Sequence, residues 1–507
     1  MRYLLIIVAV AVALPTPLHA NVCAFDAAPA ASLLFPFVVH DYGTTGTLGH
    51  AAPAGTTLTI TNVSAQTQVV RVTVWSDIAA PVLAFNVLLT GYDVVTIDMR
   101  EILQLGRLPV TVSEGHTDHE GVRDAGPVSS VNELNSDWIW GLMDDPQATA
   151  QLGDRCTPDD DGYPGNYAQP IPPAALEMLK LWLMASQTAD MYVSDDCEAP
   201  YSGTYFFQSY ADPWFHVRDA SDPTWMYVTA DVVERCDLGD PSQAGYWMPA
   251  GLGGSARYDN VLTGDVVWTA GQNTTAMPAV HLEADVDLAE VATGGALGWP
   301  VSFYARYSNL MDDISDFREP LPTAWAVRYT GVDSERSETR LLVWRGSTSF
   351  ANPVDLEVVG DPLAPDELVA SNCMPYTYYS WDEDANINYS PWGSTPRDCV
   401  SLPWNETICA DYFPLAVQEV SVEQLETVDD AGWMLFVWPA SNYLVPGGPG
   451  YTPDFYQTWM GVHRQDREVH DVFMPATVMG NYNCFPDQVI PQLGVSYDYV
   501  PSPAGTK

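Results

Sequence analysis

Residues 56–75 read TTLTITNVSAQTQVVRVTVW, and the fold class follows from their period. Over 56–61 threonine alternates with Leu58 and Ile60. Over 69–75, Val70, Val72 and Val74 fall on one face and Arg71, Thr73 and Trp75 on the other. Alternation at period two with β-branched residues, broken by a polar Asn-Val-Ser-Ala turn, predicts two half-buried antiparallel strands.

Working outward, the same signal returns at 82–89 and 94–99, split by Thr90-Gly91-Tyr92-Asp93. Further strands are expected at 225–233, 261–268, 279–286 and 301–307. A second series follows at 323–330, 339–345, 354–359, 415–422, 432–438 and 455–463. Residues 106–171 interrupt the rhythm with Asp, Gly and Pro and no period. Pro172-Pro173 then open a helix over 174–186, since proline suits a first turn. Only Glu177 and Lys180 are charged in its centre, which predicts either a buried core helix or a partner-binding one. Residues 323–344 (TAWAVRYTGVDSERSETRLLVW) repeat the strand, polar turn, strand pattern of 56–75 and end, like it, in Val-Trp. The expected fold class is mainly β, as two immunoglobulin-like β-sandwich domains. One spans residues 21–308 with a loop and helix insertion at 106–221, and the other residues 309–507.

Ahead of these domains, a twelve-residue apolar run (3–14) follows Arg2 and ends in Pro15, Pro17 and Leu18-His19-Ala20. That is the layout of a signal peptide over residues 1–20. The run is too short for a bilayer of about 30 Å. Val22 before Cys23 is too bulky for a lipid-modified cysteine, and the last residues, YVPSPAGTK, form no apolar tail. The chain is therefore expected to be secreted, to the periplasm, cell surface or exterior, without membrane insertion.

The net charge is −45, with 65 acidic residues against 20 basic ones. Such a surface repels nucleic acid, which is not an expected partner. It suits hard cations, Ca²⁺ above all, or solubility in a saline exterior where charge is screened. In an exported chain the eight cysteines are expected to form disulfides: Cys23, Cys156, Cys197 and Cys236 in one group, Cys373, Cys399, Cys409 and Cys484 in the other. Pairing within each group is expected, with Cys156 to Cys197 and Cys399 to Cys409 as the favoured bridges. Each would contribute roughly 2–4 kcal/mol.

Four segments carry candidate chemistry. In WDEDANINYS, Asp382, Asp384, Asn386 and Asn388 place oxygens at every second position, as a calcium loop does. Ile387 replaces the loop's glycine and Gly393 its closing glutamate, so a polar turn is the competing reading. TPDDDG, with Asp159 and Asp161, is a weaker version. His116 and His119 in SEGHTDHEG would share a helix face toward Zn²⁺ or Cu²⁺, but Gly115 and Gly121 favour a loop. Tyr376, Tyr378, Tyr379, Trp381, Tyr389 and Trp392 crowd one stretch among acids and amides. They are suited to sugar stacking or to packing between sheets. Of these, Tyr378, Tyr379, Trp381 and Trp392 are the candidate ligand-binding residues.

No GxSxG elbow, P-loop or GxGxxG occurs, so no catalytic residue is selected and no cofactor beyond Ca²⁺ is expected. SLLFPFVVHDY (32–42), VTVWSD (72–77), FNVLLTGYDVVTIDMREIL (85–103), YVTADVVERC (227–236) and REPLPTAWAVRY (318–329) resemble an uncharacterised family of large secreted bacterial β-rich proteins. The resemblance implies secretion and a β-rich fold, and brings no activity. The expected function is a non-catalytic adhesion, matrix or surface-layer role, with a glycan or protein surface as partner and self-association within reach. A carbohydrate-binding or glycoside-active protein using residues 376–393 is the alternative.

Overall fold

The computed structural model describes residues 28–41, 55–77, 81–109, 173–183, 224–233, 256–270, 273–284, 324–330, 337–345, 417–422, 431–437, 458–466 and 471–475, with shorter pieces including 190–194, 204–207, 318–319, 321–322, 357–361, 364–370, 377–382 and 387–390. These residues are mostly β, in several antiparallel sheets.

The first set of strands is β1 (Ser32–His40), β2 (Gly55–Asn62), β3 (Gln68–Ser76), β4 (Pro81–Leu89), β5 (Val94–Asp98), β6 (Thr224–Val233), β7 (Leu262–Ala270), β8 (Asn273–Pro278) and β9 (Val280–Leu282). It makes a five-stranded sheet I, order β9-β1-β6-β3-β4, and a four-stranded sheet II, order β8-β7-β2-β5. The second set is β10 (Ala324–Thr330), β11 (Ser337–Arg345), β12 (Thr377–Asp382), β13 (Ile387–Ser390), β14 (Val417–Ser421), β15 (Ala431–Val437), β16 (Thr458–Asp466), β17 (Asp471–Pro475) and β18 (Thr477–Val478). It makes sheet III, order β13-β12-β15-β10-β18, and sheet IV, order β14-β11-β16-β17.

Adding nine to each label of the first set reproduces the second: the topology is duplicated strand for strand. This corrects the register of the repeat read from sequence. Residues 56–75 are strands two and three of their set, whereas 323–344 are strands one and two of theirs. The shared Val-Trp ending misled, because a polar turn between β-branched strands is a general hairpin pattern. The true equivalence shows at the corner between strands one and two. Thr56 Oγ1 donates to Val39 O (2.9 Å) and accepts from Val39 N (3.0 Å). Thr339 does the same with Thr330 O (2.8 Å) and N (3.2 Å).

Four layers result, in the order II, I, IV, III. Sheets I and II meet where Trp268 Nε1 donates to Phe37 O (3.1 Å). Gly264 keeps this crossing open, since a Cβ there would come within 2.7 Å of both Leu33 Cδ1 and Thr59 O. Sheets III and IV meet where Trp325 Nε1 donates to Thr458 O and Oγ1, each at 3.1 Å. Sheets I and IV meet through Tyr227 and Trp344, whose ring centroids lie 5.7 Å apart at 76°, and through Val417 N donating to Asp77 O (3.2 Å).

Burial follows this order. In the outer sheets β2 and β10 alternate between buried and half-exposed or exposed residues, while β1 in sheet I is buried throughout. Arg71, Thr73 and Trp75, expected on a solvated face, are all buried. The second set of strands covers that face, so β3 is not half-buried. Pro36, which has no N–H to give, sits at the shift in register between Phe35 and Val38.

Among the described residues, two helices flank the first set. α1 (Met99–Leu105) starts at Asp98, whose side chain accepts from Arg100 N, and stops at Gly106 with φ 66°, where the Gly106 N–H returns to Ile102 O. Residue 99 therefore opens a helix and does not end a strand. α2 (Pro173–Leu183) buries Leu176, Leu179 and Leu183 and packs against α1, β3, β4 and β6. A further sheet pairs Asp190–Ser194 in parallel with Ala364–Ala370.

Candidate functional site

Among the described residues, the most concentrated polar chemistry lies across sheet I, on the face turned toward sheet IV. Ladder pairing puts Ser32, Asp231, Arg71 and Asn86 opposite one another across β1, β6, β3 and β4. All four are buried. Ser32 Oγ donates to Asp231 Oδ1 (2.5 Å), and Tyr246 OH donates to Asp231 Oδ2. Arg318 Nε donates to Ser32 Oγ and stands 3.5 Å from Asp231 Oδ1, with its guanidinium over the Tyr258 ring at 4.9 Å. Arg318 and Asp231 are both closed to solvent.

A charge in this position is tolerated only when it is paired and hydrogen-bonded. Arg318 lies between the last strand of the first set and the first strand of the second. It bridges to Ala284, and next to it Glu319 N donates to Glu283 O while Glu319 Oε1 accepts from Glu283 N (3.1 Å). The arrangement ties the connecting segment to the face of sheet I. Sequence reasoning missed it, because Asp231 and Arg318 are distant in the chain and neither belongs to a motif.

A second cluster lies on sheet IV. Glu419 Oε1 meets His463 Nδ1 at 2.6 Å, and Glu419 Oε2 accepts from Arg340 NH1 at 3.4 Å. Glu419 and His463 are largely buried and Arg340 is partly exposed. The three stand on adjacent strands β14, β16 and β11. Their spacing along the chain holds no signal.

The aromatic segment sits on sheet III. Tyr378, Tyr379 and Trp381 lie on β12, paired to Phe436, Leu435 and Trp433 of β15. Strand period puts Tyr378 on one face with Ser380, and Tyr379 on the other with Trp381. The three positions therefore do not share one face. Trp381 and Trp433 stack with centroids 3.9 Å apart and planes at 8°, both half-buried. Gly432 permits this close ladder, because a Cβ there would run into the Trp381 carbonyl oxygen. Val327, Trp325 and Met434 are buried toward sheet IV, whereas Arg328, opposite Trp433, is exposed. The tryptophan stack thus belongs to the outer face of sheet III. Trp392 lies outside the described residues.

Asp382 and Asn388 stand on the two strands of the β12–β13 hairpin, where Asn388 pairs with Ser380 and Asp382 with Gly432. Asp384 and Asn386 lie outside the described residues, as do all eight cysteines, Asp159 and His119. His116 begins a two-residue strand paired to 123–124, not a helix. Among the described residues, no group of three or more His, Cys, Asp or Glu side chains stands close enough to hold a metal ion. No helix among them is long and apolar enough to cross a membrane.

No protein-family model, no curated protein and no solved structure matches this chain.

Proposed function

We propose that the chain is a secreted, disulfide-stabilised, non-catalytic protein of two immunoglobulin-like β-sandwich domains, 21–308 and 309–507, acting at the cell envelope or outside it in an adhesion, matrix or surface-layer role. The observation that carries this reading is how the buried polar groups are spent. Ser32, Asp231, Tyr246 and Arg318 bond to one another in a site closed to solvent. Such a cluster orients parts of a scaffold and offers no room to a substrate. The immunoglobulin-like assignment is supported by the pairing of β1 with β6 and β2 with β7, repeated as β10 with β15 and β11 with β16. In that fold strands B and E, and C and F, pair in the same way across two sheets.

Expression of the full chain in an exporting host tests the reading. The expected product lies outside the cytoplasm, has lost residues 1–20, and takes up no thiol reagent before reduction. A cytoplasmic product with eight reactive thiols contradicts it.

A second reading, carbohydrate binding, is favoured by the half-exposed Trp381–Trp433 stack. Half-exposed flat rings suit the apolar face of a sugar. Glycan-array binding that is lost on Trp381→Ala would establish this reading; an empty array leaves the scaffold role.

A further inference from the structure

We propose that the outer face of sheet II binds a neutral polysaccharide, with Tyr92 at the end of that face as its aromatic anchor.

That face is open across all four strands. Every second residue from Gly55 to Thr61, Val94 to Asp98, Thr263 to Thr269 and Thr274 to Pro278 is half-exposed or exposed, and none of these positions is buried. Cross-strand pairing sets Thr59 level with Thr96 and Asp265, and Thr61 level with Val94 and Thr263. Thr57 and Thr269 continue the hydroxyls along β2 and β7. Threonine is stiff at χ1, so these side chains hold their hydroxyls in rows set by the strand spacing of about 4.8 Å.

Tyr92 carries the inference. Asp93 N donates to Thr90 O (3.2 Å) and closes the turn between β4 and β5. Within that turn Tyr92 has φ 60°, where glycine is at ease and a tyrosine is strained. Among the described residues no other non-glycine has a positive φ. Packing does not offset the strain, because Tyr92 is 73% exposed. The turn is nevertheless braced. Tyr92 N donates to Ser64 O (2.8 Å), Asn62 N to Asp93 O (2.9 Å) and Asn62 Nδ2 to Thr90 O (2.9 Å). A Cβ on Gly91 would run into the Ala65 carbonyl oxygen. Val63 and Val94, 38% and 55% exposed, flank the same turn. A side chain that is strained, exposed and held in place gains no burial inside the chain, which points to a use outside it.

The chemistry of the face selects the ligand. Threonine hydroxyls and the exposed Asp265 carboxylate can exchange hydrogen bonds with sugar hydroxyls. The Tyr92 ring, with Val63 and Val94, suits the apolar face of a pyranose. No lysine or arginine stands at the open positions, and a net charge of −45 repels sulfated and uronate glycans. A protein partner for so acidic a chain would need a basic surface, and its binding would weaken as salt screens the attraction. A neutral glycan is free of that dependence. The site lies on sheet II and does not use the Trp381–Trp433 stack of sheet III. It gives the adhesion role a ligand class and rests on that role only for its purpose.

The test is binding of the full chain to insoluble cellulose, chitin and mannan, and to an array of neutral and sulfated glycans, at about 0.1 M and about 0.5 M NaCl. Binding to at least one neutral glycan is expected, unchanged by salt. Tyr92→Gly should bind about tenfold more weakly or worse. It should melt no lower than the unaltered chain, since glycine suits φ 60°. Thr59→Lys, at an open position in the middle of the face, should weaken binding as much, and serves if Tyr92→Gly melts lower. Trp381→Ala should leave binding intact. The proposal is overturned if no neutral glycan binds, if only sulfated glycans bind, or if Tyr92→Gly and Thr59→Lys bind as tightly as the unaltered chain. Loss on Trp381→Ala with Tyr92→Gly unaffected also overturns it, and moves the glycan to sheet III. Exported, oxidised protein that binds no glycan would sink this site while leaving the secreted scaffold standing.

Discussion

Trp344 of β11 stands edge-on to Tyr227 of β6, and Tyr227 lies flat on Trp75 of β3. These three rings join the two sets of strands, and all three are buried. Trp344→Ala should therefore destabilise the protein by about 3–5 kcal/mol, the usual loss when a buried aromatic is truncated. Trp344→Phe should cost less. Denaturant titration of both variants measures the difference.

The Asp231–Arg318 tie should behave as a unit. Asp231→Ala leaves a buried guanidinium without its carboxylate and should cost about 3–5 kcal/mol. Arg318→Ala removes the charge partner of Asp231, which keeps the Ser32 and Tyr246 hydroxyls. The double variant should cost clearly less than the two single losses added, by the coupling expected of groups in one network. Additive losses from a double-mutant cycle would show that the pair does not interact.

His40, at the end of β1, contributes one pH-dependent part of the stability. Burial is the main cause that lowers its pKa from 6.5 to about 4, partly offset by Asp41 and Asp98. The unfolded chain takes up this proton below about pH 6.5 and the folded chain does not. Stability is therefore fully present above pH 6.5 and falls as the pH drops toward 4, by roughly 1.4 kcal/mol per unit. Between pH 6.5 and 4, His40→Gln should show a shallower fall in unfolding free energy than the unaltered protein. Equal slopes would remove His40 from the account.

The corner threonines offer a test of the duplication. Thr56→Val and Thr339→Val each delete a hydroxyl that bonds to both the N–H and the carbonyl of a residue in the opposite sheet. Each should lose about 1–3 kcal/mol, and the two losses should be similar. A large cost at one position and none at the other would separate the corners.

Much of the strand content was legible because hydrophobic period survives in the chain. β2 alternates from Thr57 to Asn62, as an outer strand must. The continuous apolar run of β11, Leu341 to Trp344, is equally diagnostic of a sheet buried on both faces, but that depth shows only once its neighbour is known. Arg71 and Thr73 looked solvated because composition reports polarity and not coverage; sheet IV supplies the cover. The joining of Ser32, Asp231, Tyr246 and Arg318 depends on topology alone, so no local pattern announced it. The aromatic segment was found at 376–392, yet its partner Trp433 was not, since a ladder pair lies beyond the reach of a window.

The layer order II, I, IV, III can be tested most directly by scanning calorimetry of the unaltered protein and Trp344→Ala. Fusion of the two sets through Trp344 and Tyr227 predicts one cooperative transition, with calorimetric and van't Hoff enthalpies in agreement, and its separation into two on removal of the indole. Two independent transitions in the unaltered protein, with only one of them moved by Trp344→Ala, would contradict it.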